Sequence, residues 1–364
     1  MAAPLPAADR IRHLRDVFGS IQPLLPSGCL ISPEPFRLSP HIIDDLQRLG
    51  PVLSRFRRTA DLIHRRSIRG SLPGWIAAMI DQGGSIEAND ELPSIFRPSL
   101  KFTKKGLSLV DIGWQADQIA LGGQLQQLHS QMGEAVIGGA RGILDGADSV
   151  SGEENGDIQA VWAPLRPSSA TSLWLALLWS APLQSVWTRE LRSSNLTFLR
   201  KFVPLAWAVD PTPLPHQAVL PWLGVRSFGD LAHAVPGISD LALKPASASL
   251  REQREVIRSR ATPGAWAAAL GQAMDHFGRS PWLLREFHEG ETVEHPGWNS
   301  ALESAQSVSG EVTLTPYYFE RAGQTALGGI LATIEPCMPI PLRSEGETGE
   351  ILSVLAPCVA DTPN

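Results

Sequence analysis

Four residues of this chain are of types that could handle charge at a site: Arg97, Asp111, Lys244 and Glu286. Arg97-Pro-Ser99 is followed twelve residues later by Asp111-Ile-Gly113. A guanidinium can grip an anion through two parallel hydrogen bonds, and a carboxylate can hold a hard cation. The same two segments also read as an ordinary surface hairpin. Lys244 stands before Pro245 and a run of small residues, Ala246-Ser247-Ala248-Ser249. A compact positive charge beside small residues lets backbone N–H groups approach anionic oxygens; the alternative is a surface lysine beside a proline turn. Glu286 closes the run Leu283-Leu-Arg-Glu-Phe287, with Glu291 and Glu294 just beyond it. Glu286 reads equally as an exposed strand end.

Other patterns carry less chemistry. His288 and His295 lie seven apart in an apparent loop, not at metalloprotease spacing. Gly138-Gly-Ala-Arg-Gly142 lacks the full dinucleotide fingerprint, and Gly278-Arg-Ser-Pro281 lacks the second glycine of a nucleophile elbow. Arg55, Arg57, Arg58, Arg65, Arg66 and Arg69 form a basic run that reads as a solvated helix face. The eleven tryptophans fall mostly at apolar spacing and read as core; Trp114, directly after Gly113, is the one expected near a cleft.

The elements that must position these residues follow from periodicity. Ile42, Ile43, Leu46 and Leu49 recur at helical spacing, as do Leu53, Phe56, Leu62 and Ile63. Pro40 is a helix-start signal, and Gly50-Pro51 predicts a break between two helices. Leu92 to Phe102 and Leu107 to Gly113 read as strands joined by the turn Lys104-Lys105-Gly106. Asp145 to Asp157, rich in acids and turn formers, is the best linker. After it come a strand at Ile158 to Trp162, a helix at Leu173 to Leu183, and a strand-bearing segment from Leu196 to Ala206, which together predict a small Rossmann-like α/β unit. Asp210-Pro-Thr-Pro-Leu-Pro215 marks a further boundary, followed by strand, a helix from Thr262 to Phe277, and more strands.

Composition bounds the class. The chain has 364 residues, 43% hydrophobic and 19% charged, enough for two or three cored units and not the makeup of a disordered protein. A net charge of -6 gives no reason to expect nucleic acid as a partner. Three widely spaced cysteines, Cys29, Cys337 and Cys358, imply no disulfide framework and suit a reducing compartment. The most apolar stretch, Ser172 to Leu183, is too short for a bilayer needing about 20 residues, and Met1-Ala-Ala-Pro-Leu-Pro lacks signal-peptide character. A soluble, cytoplasmic protein with no membrane partner is expected; the oligomeric state stays open.

Taken together, Leu241-Ala-Leu-Lys-Pro245 with its small-residue loop, Leu283 to Phe287, the Arg97/Asp111 segments, and Pro316-Tyr-Tyr-Phe319 with Leu327-Gly-Gly-Ile330 resemble the ATP-grasp family. The resemblance runs from about residue 90 to the end. Its order, with the Arg97/Asp111 strands ahead of Lys244 and Glu286, resembles the circularly permuted members. It implies an α+β or α/β fold in three parts: 1–145, helices plus the metal-side strands; 155–235, an inserted Rossmann-like unit; and 236–364, the nucleotide-binding subdomain.

The resemblance further implies ATP and Mg²⁺ as cofactors, an adenine nucleotide as partner, and an unidentified small-molecule or peptide substrate. Lys244, Ser247 and Ser249 would hold phosphates, Glu286 the hinge beside the adenine, and Glu291 or Glu294 the ribose. Arg97 would support the γ phosphate, and Asp111 would be a metal ligand. The family pattern has Arg-x-Asp on one strand and Glu-x-Asn on the next; here Ser99 and Gly113 stand at two of those positions. Asp117 is a candidate replacement ligand. Two functions follow as expectations. One is a ligase that activates a carboxylate as an acyl phosphate for attack by an amine or thiol. The other is a catalytically degenerate binding or scaffold protein.

Overall fold

The computed structural model describes residues 29–65, 74–83, 94–116, 169–211, 225–233, 240–246, 255–277, 279, 281–299, 304–321, 323–337, 340–344, 347–351 and 353–361. Among them it is a mixed α/β protein with one large mixed sheet and one small antiparallel sheet. The Asp145–Asp157 linker and the Ile158–Trp162 strand lie outside the described residues.

The large sheet is built from β1 (Cys29–Ile31), β2 (Phe36–Leu38), β3 (Ser94–Thr103), β4 (Gly106–Ala116), β9 (Thr292–Asn299), β10 (Ser304–Arg321), β11 (Gln324–Pro336) and β14 (Ser353–Ala360). The small one contains β5 (Ala206–Ala208), β6 (Leu241–Pro245), β7 (Val256–Ile257) and β8 (Trp282–Glu286). A separate hairpin joins β12 (Ile340–Ser344) to β13 (Glu347–Ile351). The helices are α1 (Pro40–Arg65), α2 (Gly74–Gly83), α3 (Ser169–Leu177), α4 (Gln184–Leu191), α5 (Ser193–Arg200) and α6 (Pro263–Asp275).

Strand β10 organises the large sheet. One edge pairs with β11 through residues 310–321; the other pairs first with β9 through residues 304–311 and then with β3 through 313–320. Because β9 continues to β1, β1 to β14, and β14 back to β11, the ladder β10–β9–β1–β14–β11 closes on itself. Hairpin β3–β4 extends outward from this closed ring.

The hairpin forms where expected. Lys104 and Lys105 make the turn, and Gly106 takes φ 108°, a conformation open chiefly to glycine. Thr103 fastens it, its hydroxyl donating to the Gly106 carbonyl at 2.7 Å. In β3 and β10, Pro98 and Pro316 fall in the stretch of ladder between the pairs Leu100↔Leu314 and Phe96↔Tyr318. Neither proline has an N–H to contribute there.

Helix α1 corrects one expectation: it runs unbroken through Gly50-Pro51. Proline should cost a helix interior about 3 kcal/mol by removing a donor and crowding the previous turn. Here Tyr318 from β10 inserts its ring against Gly50, where any Cβ would collide with it. The Tyr318 hydroxyl donates to the Leu46 carbonyl at 2.6 Å, satisfying an acceptor beside the disturbance. Just below, Glu320 is buried between α1 and β10, accepting from Ser54, from Arg57 at 2.8 Å and from Arg58 at 2.9 Å. The sheet thereby holds the helix across its weakest point.

A second correction concerns Leu196 to Ala206. Residues Ser193–Arg200 are helical, and only Ala206–Ala208 form a strand. Leu196, Leu199 and Val203 are buried at steps of three and four residues, one stripe of a helix. The described part of 155–235 therefore holds α3, α4, α5 and β5. Strand β5 pairs antiparallel with β8, so this segment contributes to the same sheet as residues 241–286.

The small sheet has apolar cover on both faces. Leu241, Leu243, Trp282 and Leu284 pack with Trp266 and Leu270 of α6 in one core. Leu283 and Ala206 join the main core with α3. Helix α6 starts on Thr262, whose hydroxyl accepts from the Ala265 N–H at 3.2 Å, with Pro263 at the first helical position. The helix expected over Leu173 to Leu183 instead ends at Leu177: α3 is buried from Leu173 through Leu177, and Ala181–Leu183, with Pro182, form a separate 3-10 turn. No helix among the described residues is long and apolar enough to cross a membrane.

Candidate functional site

Register builds the site from the hairpin upward. Arg97 stands opposite Gly113, and Ser99 opposite Asp111. Opposed residues of an antiparallel pair share a face, so these four form one patch. Phe96 belongs to the other face, stacked on Tyr318 at 5.0 Å between ring centroids and turned toward α1. The expected neighbourhood of Arg97 and Asp111 on adjacent antiparallel strands is therefore observed.

Arg97 is 7% exposed, and burial lowers its pKa to about 10, which leaves it a cation at neutral pH. Asp111 is half-buried, and its Oδ1 accepts from the Ile112 N–H at 2.8 Å. Gly113 is buried and is not among the positive-φ glycines, which are Gly106 and Gly323. The absence of a side chain at 113 is thus no requirement of backbone conformation. The polar face continues through Lys101, whose ammonium pairs with Glu311 at 2.7 Å. Glu311 in turn lies opposite Glu335 of β11. The Glu335 side chain keeps contact with solvent, yet its carboxyl is pushed up by desolvation; Glu311 adds to the rise and Lys101 opposes it.

The hinge bends over the same face. Phe287 sits with Lys101 Nζ 5.3 Å and the Arg260 guanidinium 5.2 Å from its ring centroid. Gly290 bridges to Thr103, and a Cβ there would strike Lys101 and Glu311. The N–H groups of Glu286, Phe287 and Glu291 already donate to the carbonyls of Leu205, Asp240 and Phe102. An adenine edge read at this hinge would therefore have to use the backbone of residues 288–290. Glu286 lies 3.6 Å from His288, and that contact holds its carboxyl below the usual range.

Lys244 arrives from the small sheet. It pairs with Leu283, and alternation puts Arg285, not Glu286, on its face. Arg285 is engaged by Glu255 at 2.7 Å. Lys244 reaches β4: with Leu109 and Val110 it lines a cavity whose other walls include Leu175, Ala176 and Leu283. Val110 is the extra residue of a bulge between the pairs Ser99↔Asp111 and Leu100↔Leu109. The cavity measures about 20 Å³, room for roughly one water and far below the ~300–1,000 Å³ of ligand pockets. Helix α3 fills the space beside the lysine with apolar side chains.

The remaining candidates separate. Glu294 is exposed on β9, opposite Ser309, and Glu291 is half-buried at the hinge. His295 is buried elsewhere, its Nε2 2.9 Å from Ser32 Oγ and 3.2 Å from the Glu34 carbonyl, so it does not act together with His288. Desolvation lowers its pKa. Ser247, Ser249 and Asp117 lie outside the described residues, as does the side chain of Trp114. Sequence reasoning missed Lys101, Glu311, Glu335 and Arg260; alternation along Glu311-Val-Thr-Leu-Thr315 was the signal that could have put Glu311 on the polar face.

A magnesium ion wants about six oxygen ligands in octahedral array, usually including one or two carboxylates with phosphate oxygens and water. Among the four positions of the patch only Asp111 offers a carboxylate, and no group of three or more His, Cys, Asp or Glu suited to a metal occurs among the described residues. Among the described residues the donor set does not fit a resident magnesium ion.

No protein-family model matches the chain, and no curated protein does. Among solved structures, it overlaps a glutathione synthetase-like effector from Globodera pallida in its apo form. The TM-score is 0.46 at 8% identity, with 98% of each chain covered. That overlap is too loose to assign a fold.

Proposed function

We propose that this chain is a catalytically reduced ATP-grasp-like protein that acts by binding, not as a magnesium-dependent ligase. One observation carries the reading: the register Arg97↔Gly113 and Ser99↔Asp111 leaves a single carboxylate in the patch. Phosphoryl transfer depends on neutralising developing charge with metal and arginine. Arg97 supports half of that arrangement and Asp111 alone is a poor basis for the other half. The apolar packing of α3 against the space beside Lys244 also favours a cleft that takes a nucleotide weakly at best. Likeness of fold does not entail retained chemistry.

A second reading keeps the ligase, with a carboxylate activated as an acyl phosphate and passed to an amine or thiol. It draws on the Lys101–Glu311 pair with Glu335 opposite, which supplies carboxylates to the same face from other strands. Calorimetry with ATP and magnesium, alongside a phosphate-release assay, separates the two. The binding reading expects turnover no faster than the uncatalysed background in wild-type protein. Turnover that is magnesium-dependent and collapses in Glu311→Gln would establish the ligase and overturn the first reading.

A further inference from the structure

The groove between α1 and α5 lies apart from the cleft between the sheets, and its lining has one chemical character. It is a shallow, open depression of about 400 Å³ between Arg48 of α1 and Ser193, Ser194, Thr197, Phe198 and Lys201 at α5. Phe198 is buried and forms the floor, tied into the main core with Leu196 and Leu199. The Arg48 guanidinium lies 4.0 Å from its ring centroid and the Lys201 ammonium 5.8 Å from it. We propose that this groove binds a small molecule through a phosphate dianion.

Charge balance points that way. Arg48 and Lys201 are both exposed, and among the described residues neither enters an ion pair. Asp44 lies one turn before Arg48 on α1 and is not paired with it. Attraction to a shared aromatic ring holds both exposed cations at the groove. None of the six lining residues is a carboxylate, while three are hydroxyl donors. Two cations and three hydroxyls suit a ligand rich in acceptor oxygens and carrying more than one negative charge, which phosphate is. A neutral ligand would leave both cations uncompensated, and a cation would be repelled. The volume exceeds that of a bare phosphate and accommodates a small organic group bearing it. Helices α4 and α5 meet without a linker at Arg192, the described non-glycine residue with positive φ (66°), and this sharp junction turns the first residues of α5 toward the groove.

Titration calorimetry with inorganic phosphate and pyrophosphate at low ionic strength tests the site. Both should bind saturably, pyrophosphate more tightly. Arg48→Gln and Lys201→Gln should each weaken binding about tenfold, as expected for loss of one charge-assisted contact. The double variant should bind neither probe, Arg48→Lys should retain part of the affinity, and Arg65→Gln, at an exposed arginine of α1 outside the groove, should leave it unchanged. Should Arg48→Gln fail to fold, Lys201→Gln, an exposed change beyond the helix end, carries the test alone. Non-saturating heats, affinity indifferent to Arg48 and Lys201, or equal loss in Arg65→Gln would each overturn the proposal.

Discussion

Strands β3 and β10 present two faces that are furnished in opposite ways. Toward α1 they place Phe96, Tyr318 and Glu320, each fixed by a specific partner: ring on ring, hydroxyl on a helix carbonyl, carboxylate between two arginines. Toward the cleft the same strands place Arg97 and Ser99, beside Asp111 and Gly113 of β4, where one carboxylate stands among four positions. The scaffold is held by interactions that tolerate little change. The cleft face carries buried Arg97 beside that single carboxylate, and under the proposed binding role it can relax where the scaffold cannot.

The largest effect should come from the scaffold face. Glu320→Ala would strip Arg57 of its buried partner, and breaking such a pair typically costs about 3–5 kcal/mol. Chemical denaturation should record a midpoint shift of that order; a shift near zero would mean the cluster contributes nothing net. Tyr318→Phe keeps the stacking on Phe96 and removes one hydrogen bond to Leu46, for an expected cost of about 1–2 kcal/mol. Hydrogen exchange should locate the change at the middle of α1, around Gly50.

A smaller effect should appear with pH. His295, on the inward side of β9, has its pKa lowered by desolvation. Its neutral form is favoured in the folded chain, so the contribution is complete above the ordinary imidazole value of 6.5. It is lost as pH falls through the lower folded value. His295→Gln should flatten that part of the stability–pH curve, and an unchanged slope would assign the loss to other groups. The smallest stability effects belong to the cleft face: Asp111→Ala should shift stability by about 0.5 kcal/mol or less. Ser99→Asp with Gly113→Asn sharpens the contrast, because Gly113 is not among the positive-φ glycines and its backbone sets no bar to asparagine. If the scaffold is otherwise competent, this double change should raise magnesium-dependent ATP hydrolysis. A folded, nucleotide-binding but inert double variant would extend the deficit beyond these two positions.

The parts legible in the sequence were those decided locally. The Lys104-Lys105-Gly106 turn, the helix beginning near Thr262 and the apolar stretch of α3 each rest on neighbours within a few residues. The Arg97–Asp111 neighbourhood followed from the hairpin alone. What was not legible depended on distant partners. Gly50-Pro51 reads as a helix break until Tyr318, 272 residues beyond Leu46, repairs it. The strand reading of 196–206 failed because Phe198 and Phe202 blur the helical stripe of Leu196, Leu199 and Val203. Crowding beside Lys244 is a property of how α3 layers against β4 and β8, which no local pattern encodes.

The closed ring has a consequence for how the chain is made. Cys29 pairs with Ser353, and Ser54 bonds Glu320, so the earliest described strand and helix wait for partners synthesised last. At roughly 5–20 residues per second, the apolar stripe of α1 stays uncovered for tens of seconds after it emerges. Trp187 of α4 can stack on Phe56 early, but the strands that complete the cover, β10 and β11, begin only at Ser304. During that interval Leu46, Leu49 and Leu53 are open to chaperones and to other nascent chains. Yield in the cell should therefore depend on translation speed through the middle of the message more than on the stability of the finished protein.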